Sequence, residues 1–550
     1  MKKVIFVFVF VFVLVEGFLV SCSDKWDDHY QVYVPGQGTM WETITSDPEL
    51  SNFANVLEAC GYMPSLDGSQ VFTVFAPTND QFTASQRDKV IETYQKEKAQ
   101  GVKDKDNSAI KEFVQNHIAL YNYSKDSQSL DTTLITMMNG KFMYLTGSKF
   151  ADTDVKSRNI ATSNGVLFTI NKEAEYVTNV FEQLKKDSDF THLANFLYSF
   201  NEYKFDADQS VKGEIIDGQQ HYLDSVTHLT NDILDEVGDI SDEDSTYWMV
   251  APINDVWDTL IDEYSNYFIF DKTTKNRDSL MWIYPRLFTV MGTVFSRTQN
   301  PDATLRDSAM STNAVSYQMR KMKYGSYDFK YFQYDKPYAS GHVFDIPQSD
   351  IHTCSNGEVM KARIWNIDKS ETFMGPLVEW DLDSVYPSTR PLNYVQVPQY
   401  SEFYNQCFVN SYAEMAPMSS SAATALFDIP NVLSNVPYDI YLVMGSGLAG
   451  DTIVAENDTL PTVFRATIYY NDIDGNETSF KTTANLTACE NPHKIDSVFI
   501  GTYTFPTCSY GTSMPQVKVK IENRVSNTQE KNKKYTRTMR LFSFIFKPHE

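Results

Sequence analysis

The chain has 550 residues, 42% of them hydrophobic and 21% charged, with a formal net charge of −24. That length exceeds one core and predicts about three or four domains, and the composition is that of a globular chain, not a disordered one. The acidity excludes a nucleic-acid partner, because counterion release needs a basic face and none dominates here.

The N-terminus reads as an address. Lys2 and Lys3 precede residues 4–15, an unbroken apolar run shorter than the roughly 20 residues of a spanning helix. Leu19-Val20-Ser21-Cys22 then resembles the lipobox of bacterial lipoproteins. In that family the peptide is cut before the cysteine, which is lipidated at its thiol and its new amino group. The resemblance implies a signal peptide over 1–21, lipidation at Cys22 and a tether over 22–35. The acidic run Ser23-Asp24-Lys25-Trp26-Asp27-Asp28 resembles the export signal that carries Bacteroidetes lipoproteins to the outside of the outer membrane. No later stretch has the apolar length of a spanning helix. The expectation is a lipid-anchored, cell-surface protein of the outer membrane.

Two stretches further on share one plan. Residues 71–82, VFTVFAPTNDQF, and 248–257, WMVAPINDVW, each run apolar into Ala-Pro and then Asn-Asp. β-Branched and aromatic residues predict a buried strand, and Pro77 or Pro252 ends its pairing for want of an N–H. Asn79 or Asp80, and Asn254 or Asp255, are placed to cap a following helix. Ahead of the first copy, Asp47-Pro48 reads as a helix start. Leu50, Phe53, Ala54 and Leu57 mark one buried helix face, and Gly61 its left-handed stop. Phe190, Leu193, Ala194 and Leu197 repeat that face before the second copy. Both copies close on a turn into a strand, at Asn164-Gly165 and Asn356-Gly357. The second copy is longer, with one insertion within about 200–245 and another around 322–338, dense in Tyr and Phe.

These residues resemble the fasciclin (FAS1) family: the opening helix, TVFAPTND, the central Asn116-His117-Ile118 and the closing Asn-Gly-Val of the first copy. The resemblance covers 36–176 and, with the NHI position lost somewhere in 284–292, 177–368. It implies compact α+β modules used for adhesion and protein contact, without a shared catalytic centre. Neither closing strand carries the histidine common in the family, so no binding residue transfers.

Residues 369–550 change character. Short strand-like runs, among them PYDIYLV at 437–443 and MRLFSFIF at 539–546, alternate with turn clusters. The expectation is an all-β sandwich, architecturally similar to jelly-roll modules of the carbohydrate-binding type. The fold class is therefore α+β: two fasciclin-like modules and a jelly-roll-like sandwich.

Constellations that imitate active sites fall away. Gly445-Ser446-Gly447-Leu448-Ala449-Gly450 spells G-x-G-x-x-G, but no helical stripe follows to receive a pyrophosphate. Asp472-Ile473-Asp474-Gly475 reads as a hairpin turn, since calcium loops need another oxygen ligand where Tyr470 stands. His117 reads as a hydrogen-bonded core histidine, while His221 and His228 lack a third ligand. There is no G-x-S-x-G, H-E-x-x-H or Walker pattern. Asp381 and Asp383 are too ordinary in so acidic a chain to nominate a glycosidase. Without CxxC a cysteine zinc site is not expected; Cys60 reads as core, and Cys489 with Cys508 stays open as a bridge. Lys531, Lys533, Lys534, Arg537 and Arg540 read as a solvated loop before the last strand.

The expectation is a non-enzymatic binding or scaffold lipoprotein without cofactor or metal, capturing polysaccharide for an uptake system. A TonB-dependent transporter and its solute-binding lipoprotein are the expected partners. The alternative is an adhesion or protein scaffold that binds no glycan. Tyr324, Tyr327 and Tyr331, in the aromatic insertion, are the ligand-binding candidates, since aromatic faces pack on the C–H faces of sugars.

Overall fold

The computed structural model describes residues 38–123, 132–216, 219–296, 308–312, 320–324, 327–335, 338–382, 392–417, 421–450, 459–511 and 516–549, with backbone only for strand residues between 206 and 228 and between 308 and 335. Cys22 and the whole leader lie outside the described residues. The chain divides into two compact units, Met1–Val177 and Thr178–Glu550.

The first unit opens with α1 (Met40–Ser46), α2 (Ser51–Ala59), α3 (Met63–Asp67) and α4 (Ala84–Ala99). Thr39 starts α1 through a reciprocal capping box with Glu42, and Asp47 with Pro48 sets the turn into α2. The predicted face Leu50, Phe53, Ala54 and Leu57 is buried. Its strands are β1 (Phe72–Pro77), β2 (Ile118–Leu120), β3 (Thr133–Thr136), β4 (Phe142–Leu145), β5 (Lys149–Phe150), β6 (Thr153–Thr162) and β7 (Gly165–Ile170). They run in the order β2-β1-β7-β6-β5-β4-β3, with β1 parallel to β7 from Phe72↔Gly165 to Pro77↔Ile170.

Asn164-Gly165 explains how that pairing begins. The Asn164 side chain accepts the Met40 N–H (2.7 Å) and donates to the carbonyls of Leu66 (2.8 Å) and Gly68 (2.7 Å). Gly165 holds φ +146°, and a Cβ there would sit 1.9 Å from the Phe72 carbonyl oxygen. Only glycine lets β7 start this close to β1.

The second unit repeats the device. It contains α5 (Val180–Lys186), α6 (Thr191–Tyr198), β8 (Asn201–Ile216), β9 (Gln219–Asn231), α7 (Asp232–Val237), β10 (Tyr247–Pro252), α8 (Asn254–Tyr264), α9 (Arg277–Val290), β11 (Val294–Ser296), β12 (Ser308–Thr312), β13 (Arg320–Tyr324), β14 (Tyr327–Asp335), β15 (Ile351–Cys354) and β16 (Gly357–Ala362). Strand β10 is parallel to β16 in the register of β1 and β7. Asn356 accepts the Val180 N–H and donates to the Ile240 and Asp242 carbonyls. Gly357 again has φ +146°, with a Cβ 1.7 Å from the Tyr247 oxygen. The first insertion contains the two-stranded antiparallel sheet β8-β9, and the second extends the sheet beyond β11 as β12, β14 and β13.

Two expectations are corrected. Asn79 and Asn254 do not cap the helix that follows them. Asn79 accepts the Asn52 N–H (3.1 Å) and Asn254 the His192 N–H (3.0 Å), so each clamps the start of the earlier helix, α2 or α6. Thr83 caps α4 instead, with Gln86. The counterpart of His117 is Thr293, just past the expected window. Phe75 N–H donates to the His117 carbonyl as Val250 N–H does to that of Thr293, and the buried Thr293 hydroxyl turns back to Val290.

The rest of the chain forms two antiparallel sheets from β17 (Leu377–Glu379), β18 (Asn393–Gln396), β19 (Ser411–Met415), β20 (Thr424–Ile429), β21 (Pro437–Gly445), β22 (Thr462–Asn471), β23 (Glu477–Lys481), β24 (Leu486–Ala488), β25 (Asp496–Thr504), β26 (Val517–Asn523) and β27 (Met539–Pro548). One runs β18-β19-β27-β21-β25, with β17 also on β27; the other runs β20-β26-β22-β23, with β24 also on β22. Alternating residues such as Ile440, Leu442, Phe544, Phe427 and Ile521 fill the space between them.

That core does not stop at residue 369. Phe268, Phe270 and Phe288 of the second module belong to it. Phe268 stacks on Phe288 (5.0 Å between centroids), and Phe288 meets Phe373 (5.1 Å) and Tyr510 (5.0 Å). The segment 266–274 is laced to the sandwich by backbone bonds: Cys508 N–H to Ile269 O, Ser434 N–H to Tyr267 O, and Lys272 N–H to Ile473 O. Gly511 makes room for Tyr284, whose hydroxyl would lie 1.7 Å from a Cβ. One part of the second module's interior is thus continuous with that of the sandwich, while residues such as Val180, Leu193, Met249 and Val359 form a cluster of their own.

Candidate functional site

The outward face of the sheet β17-β27-β21-β25 carries a row of apolar side chains that strand pairing places side by side. Val378 lies opposite Ile545, Ile545 opposite Tyr441, and Tyr441 opposite Phe499. Directly opposed residues in antiparallel strands share a face. The inward parity of β21 is Tyr438, Ile440, Leu442 and Met444, all buried, so Tyr441 belongs to the outer face. Phe499 is 47% exposed, and its ring lies 5.3 Å from that of Tyr441 at 51°. A β-bulge between Ile440 and Tyr441 sets this register.

One side of the row is polar. Asp439 pairs across strands with Thr502 and Lys547. Its carboxylate accepts the Thr502 hydroxyl and contacts His549 Nδ1 at 2.9 Å. Those hydrogen bonds hold the carboxyl below its ordinary range. The other side is a wall, where Val397 and Phe403 cover Val443 and Phe542, with Ile545 packed against them. At the edge strand, burial pushes Glu379 up to about 7, and Trp380 beside it is exposed. The result is a shelf with an apolar floor, hydrogen-bonding groups along one margin and a wall along the other.

The residues singled out in the sequence are distributed differently. Tyr324 and Tyr327 pair directly at one end of the β13-β14 ladder, and Tyr331 lies opposite Thr312 and Arg320; their side chains lie outside the described residues. His117 is buried, donates from Nδ1 to the Phe113 carbonyl (2.7 Å) and accepts the Ala174 N–H at Nε2 (2.9 Å). Burial pulls its pKa down to about 4, as for a neutral core histidine. Gly445 ends β21 and Ser446 caps a short 3-10 turn, Gly447–Ala449. Asp472 accepts the N–H groups of Asp474 and Asn476, closing the β22-β23 hairpin. The expected basic loop is divided. Arg537 and Arg540 are buried, Arg537 bonding Asn527 and Ser421 and Arg540 lying 3.2 Å from Glu414. Cys489 and Cys508 are buried, separate thiols.

Among the described residues no group of three or more His, Cys, Asp or Glu is placed to hold a metal ion, and no helix is long and apolar enough to cross a membrane. The sequence reading missed Tyr441, Phe499, Ile545 and Val378. The available signal was parity: Tyr441 and Phe499 alternate with the inward residues of their strands and share a face with Asp439, Ser497 and Thr502.

Residues 48–173 match the family model described as Fasciclin domain. The first unit carries a fasciclin domain. Among curated proteins nothing matches. Solved structures are similar in part. One is the CBM22-1–GH10 modules of an N-terminal endo-1,4-beta-D-xylanase from Clostridium thermocellum, complexed with xylohexaose, at 11% identity and TM-score 0.21 over 31% of this chain and 27% of that one. Another is the FAS1 domain pair of the insect cell adhesion molecule Fasciclin I, at 11% identity and TM-score 0.20 over 57% and 95%. A third is the CBM22-1 xylan-binding domain from Paenibacillus barcinonensis, at 10% identity and TM-score 0.20 over 31% and 92%. The chain spans only 27% of the xylanase structure and 28% of a Podospora anserina mannanase structure that it also matches. Beside the fasciclin domain these likenesses carry no argument about ligand.

Proposed function

We propose that the chain is a surface lipoprotein, anchored through Cys22, that captures glycan without transforming it. The observation that carries this reading is the partly exposed cross-strand row Val378, Ile545, Tyr441 and Phe499 beside Asp439, Thr502 and Lys547. Apolar side chains on a rigid sheet accept the C–H face of a sugar ring, and the flanking carboxylate, hydroxyl and ammonium accept and donate to its hydroxyls. Strands about 4.8 Å apart give a row roughly 14 Å long, enough for several sugar units of one chain. The second module is read as a diverged fasciclin domain, on the strength of its repeated Asn-Gly clamp. An uptake assembly with a TonB-dependent transporter and its solute-binding lipoprotein is the setting that such an anchored, capturing protein suits.

The decisive test is affinity electrophoresis in gels cast with soluble polysaccharides. Phe499→Ala and Tyr441→Ala should each weaken retention roughly tenfold, since each removes on the order of 1–2 kcal/mol of apolar contact. A protein retained by none of a broad panel, or variants retained like the parent, would defeat the proposal. The anchor is tested by Cys22→Ala, which should move the protein from washed outer membranes to the soluble fraction. Retention of that variant would refute lipidation as the anchor.

A second reading is favoured by one feature of the fasciclin domain. Tyr121 has φ +75° and is 72% exposed, an uncommon conformation for a bulky residue. Its carbonyl accepts the Thr73 hydroxyl (2.8 Å), and Leu120 and Val71 are exposed nearby. Such a patch suits protein contact and adhesion.

A further inference from the structure

The fasciclin domain has a groove that the reading above leaves unused. It lies between α4, the turn Ala109–Val114 and the residues after β7, and holds about 550 Å3, a size typical of small-ligand sites. Its floor is apolar: Ala109, Phe113 and Ala174 are buried and Val90 half-buried. The floor is held from behind by Asn116 and His117. Asn116 donates to the Ala174 carbonyl (3.1 Å) and His117 accepts the Ala174 N–H (2.9 Å), so both backbone polar groups of Ala174 are satisfied away from the groove. His117 also donates to the Phe113 carbonyl, and the Phe113 ring stacks on Phe82 at 4.9 Å. The turn carrying Ala109 and Phe113 is π-helical, closed by Gln115 N–H to Ile110 O at 2.8 Å; such turns recur at functional sites.

The rim is polar and of both signs. Gln86 on α4 reaches across to Glu173 (3.2 Å), and Lys172 is paired with Asp152. Thr93 and Glu175 line the opening from exposed positions. The carboxylates of Glu112, Glu173 and Glu175 outnumber the ammonium groups of Lys89 and Lys172, which disfavours a polyanion.

We propose that this groove binds a short neutral oligosaccharide, its C–H faces on Val90 and the accessible edge of Phe113 and its hydroxyls on the rim. The ligand class rests on the reading of the chain as a glycan-capturing protein; the groove and its clamped floor do not. The second module, with Thr293 in the place of His117, lacks the histidine half of that clamp.

The test is calorimetric titration of the full chain with cellohexaose, mannohexaose and hexagalacturonate, in a Phe499→Ala background that removes the sheet-face contribution. Thr93→Trp, on an exposed face of α4, should fill the opening and lower affinity for a neutral hexamer at least tenfold. Glu175→Ala should lower it about threefold, and its exposed side chain makes it the safeguard should the Trp variant misfold. Equal affinity in these variants and their parent, preference for hexagalacturonate, or no hexamer binding in the Phe499→Ala parent would each overturn the groove. An unchanged Phe499→Ala protein whose binding is lost with Thr93→Trp would instead sink the sheet-face reading and leave the groove standing.

Discussion

Acid should weaken the first unit through one side chain. His117 is fully buried, and its Nε2 must stay unprotonated to accept the Ala174 N–H. Burial is the main cause of the drop from 6.5 to about 4, opposed by the bond to Phe113. The unfolded chain therefore binds the proton more readily than the folded one. The stabilisation is fully present above pH 6.5 and is lost as pH falls towards 4. Between pH 7 and pH 4.5 that amounts to about 2–3 kcal/mol, a large share of a domain's stability. His117→Gln keeps an acceptor for Ala174 but cannot titrate. Cys60, buried in the same core, reports opening of the unit. Its labelling by 4,4′-dithiodipyridine, a reagent that works in acid, can be followed across a urea series at both pH values. The parent should lose about 2–3 kcal/mol more than His117→Gln over that interval. Equal losses, within about 0.5 kcal/mol, would show that His117 is not the acid-labile group.

Gly165→Ala should destabilise the first unit by about 3 kcal/mol or more, because the new Cβ meets the Phe72 backbone and φ +146° is reserved for glycine; thermal unfolding at a parental midpoint would contradict the clamp. Phe268→Ala empties a fully buried position in the shared interior and should cost about 3–5 kcal/mol. In urea, Cys354 of the second module and Cys508 of the sandwich should then label at one lowered midpoint; a parental midpoint at Cys508 alone would mean the two fold separately.

Much of this protein is local chemistry and therefore legible in its sequence. The Leu50-Phe53-Ala54-Leu57 stripe, the Ala-Pro strand stop and the Asn-Gly turns act over a few residues, so spacing exposes them, and the same spacing shows each device a second time further along the chain. The fasciclin domain was readable for the same reason. What Asn79 and Asn254 clamp was not, because a side chain that can cap the next helix can equally cap one that tertiary packing brings beside it. The sheet-face row depends on register: Val378, Ile545, Tyr441 and Phe499 come from four strands, and a one-residue slip would turn each to the other face. The contacts made across the boundary expected near residue 369 likewise become visible only in three dimensions. Phe268, Phe270 and Phe288 are as apolar as any residues of a module's own core, and only packing decides which interior they fill.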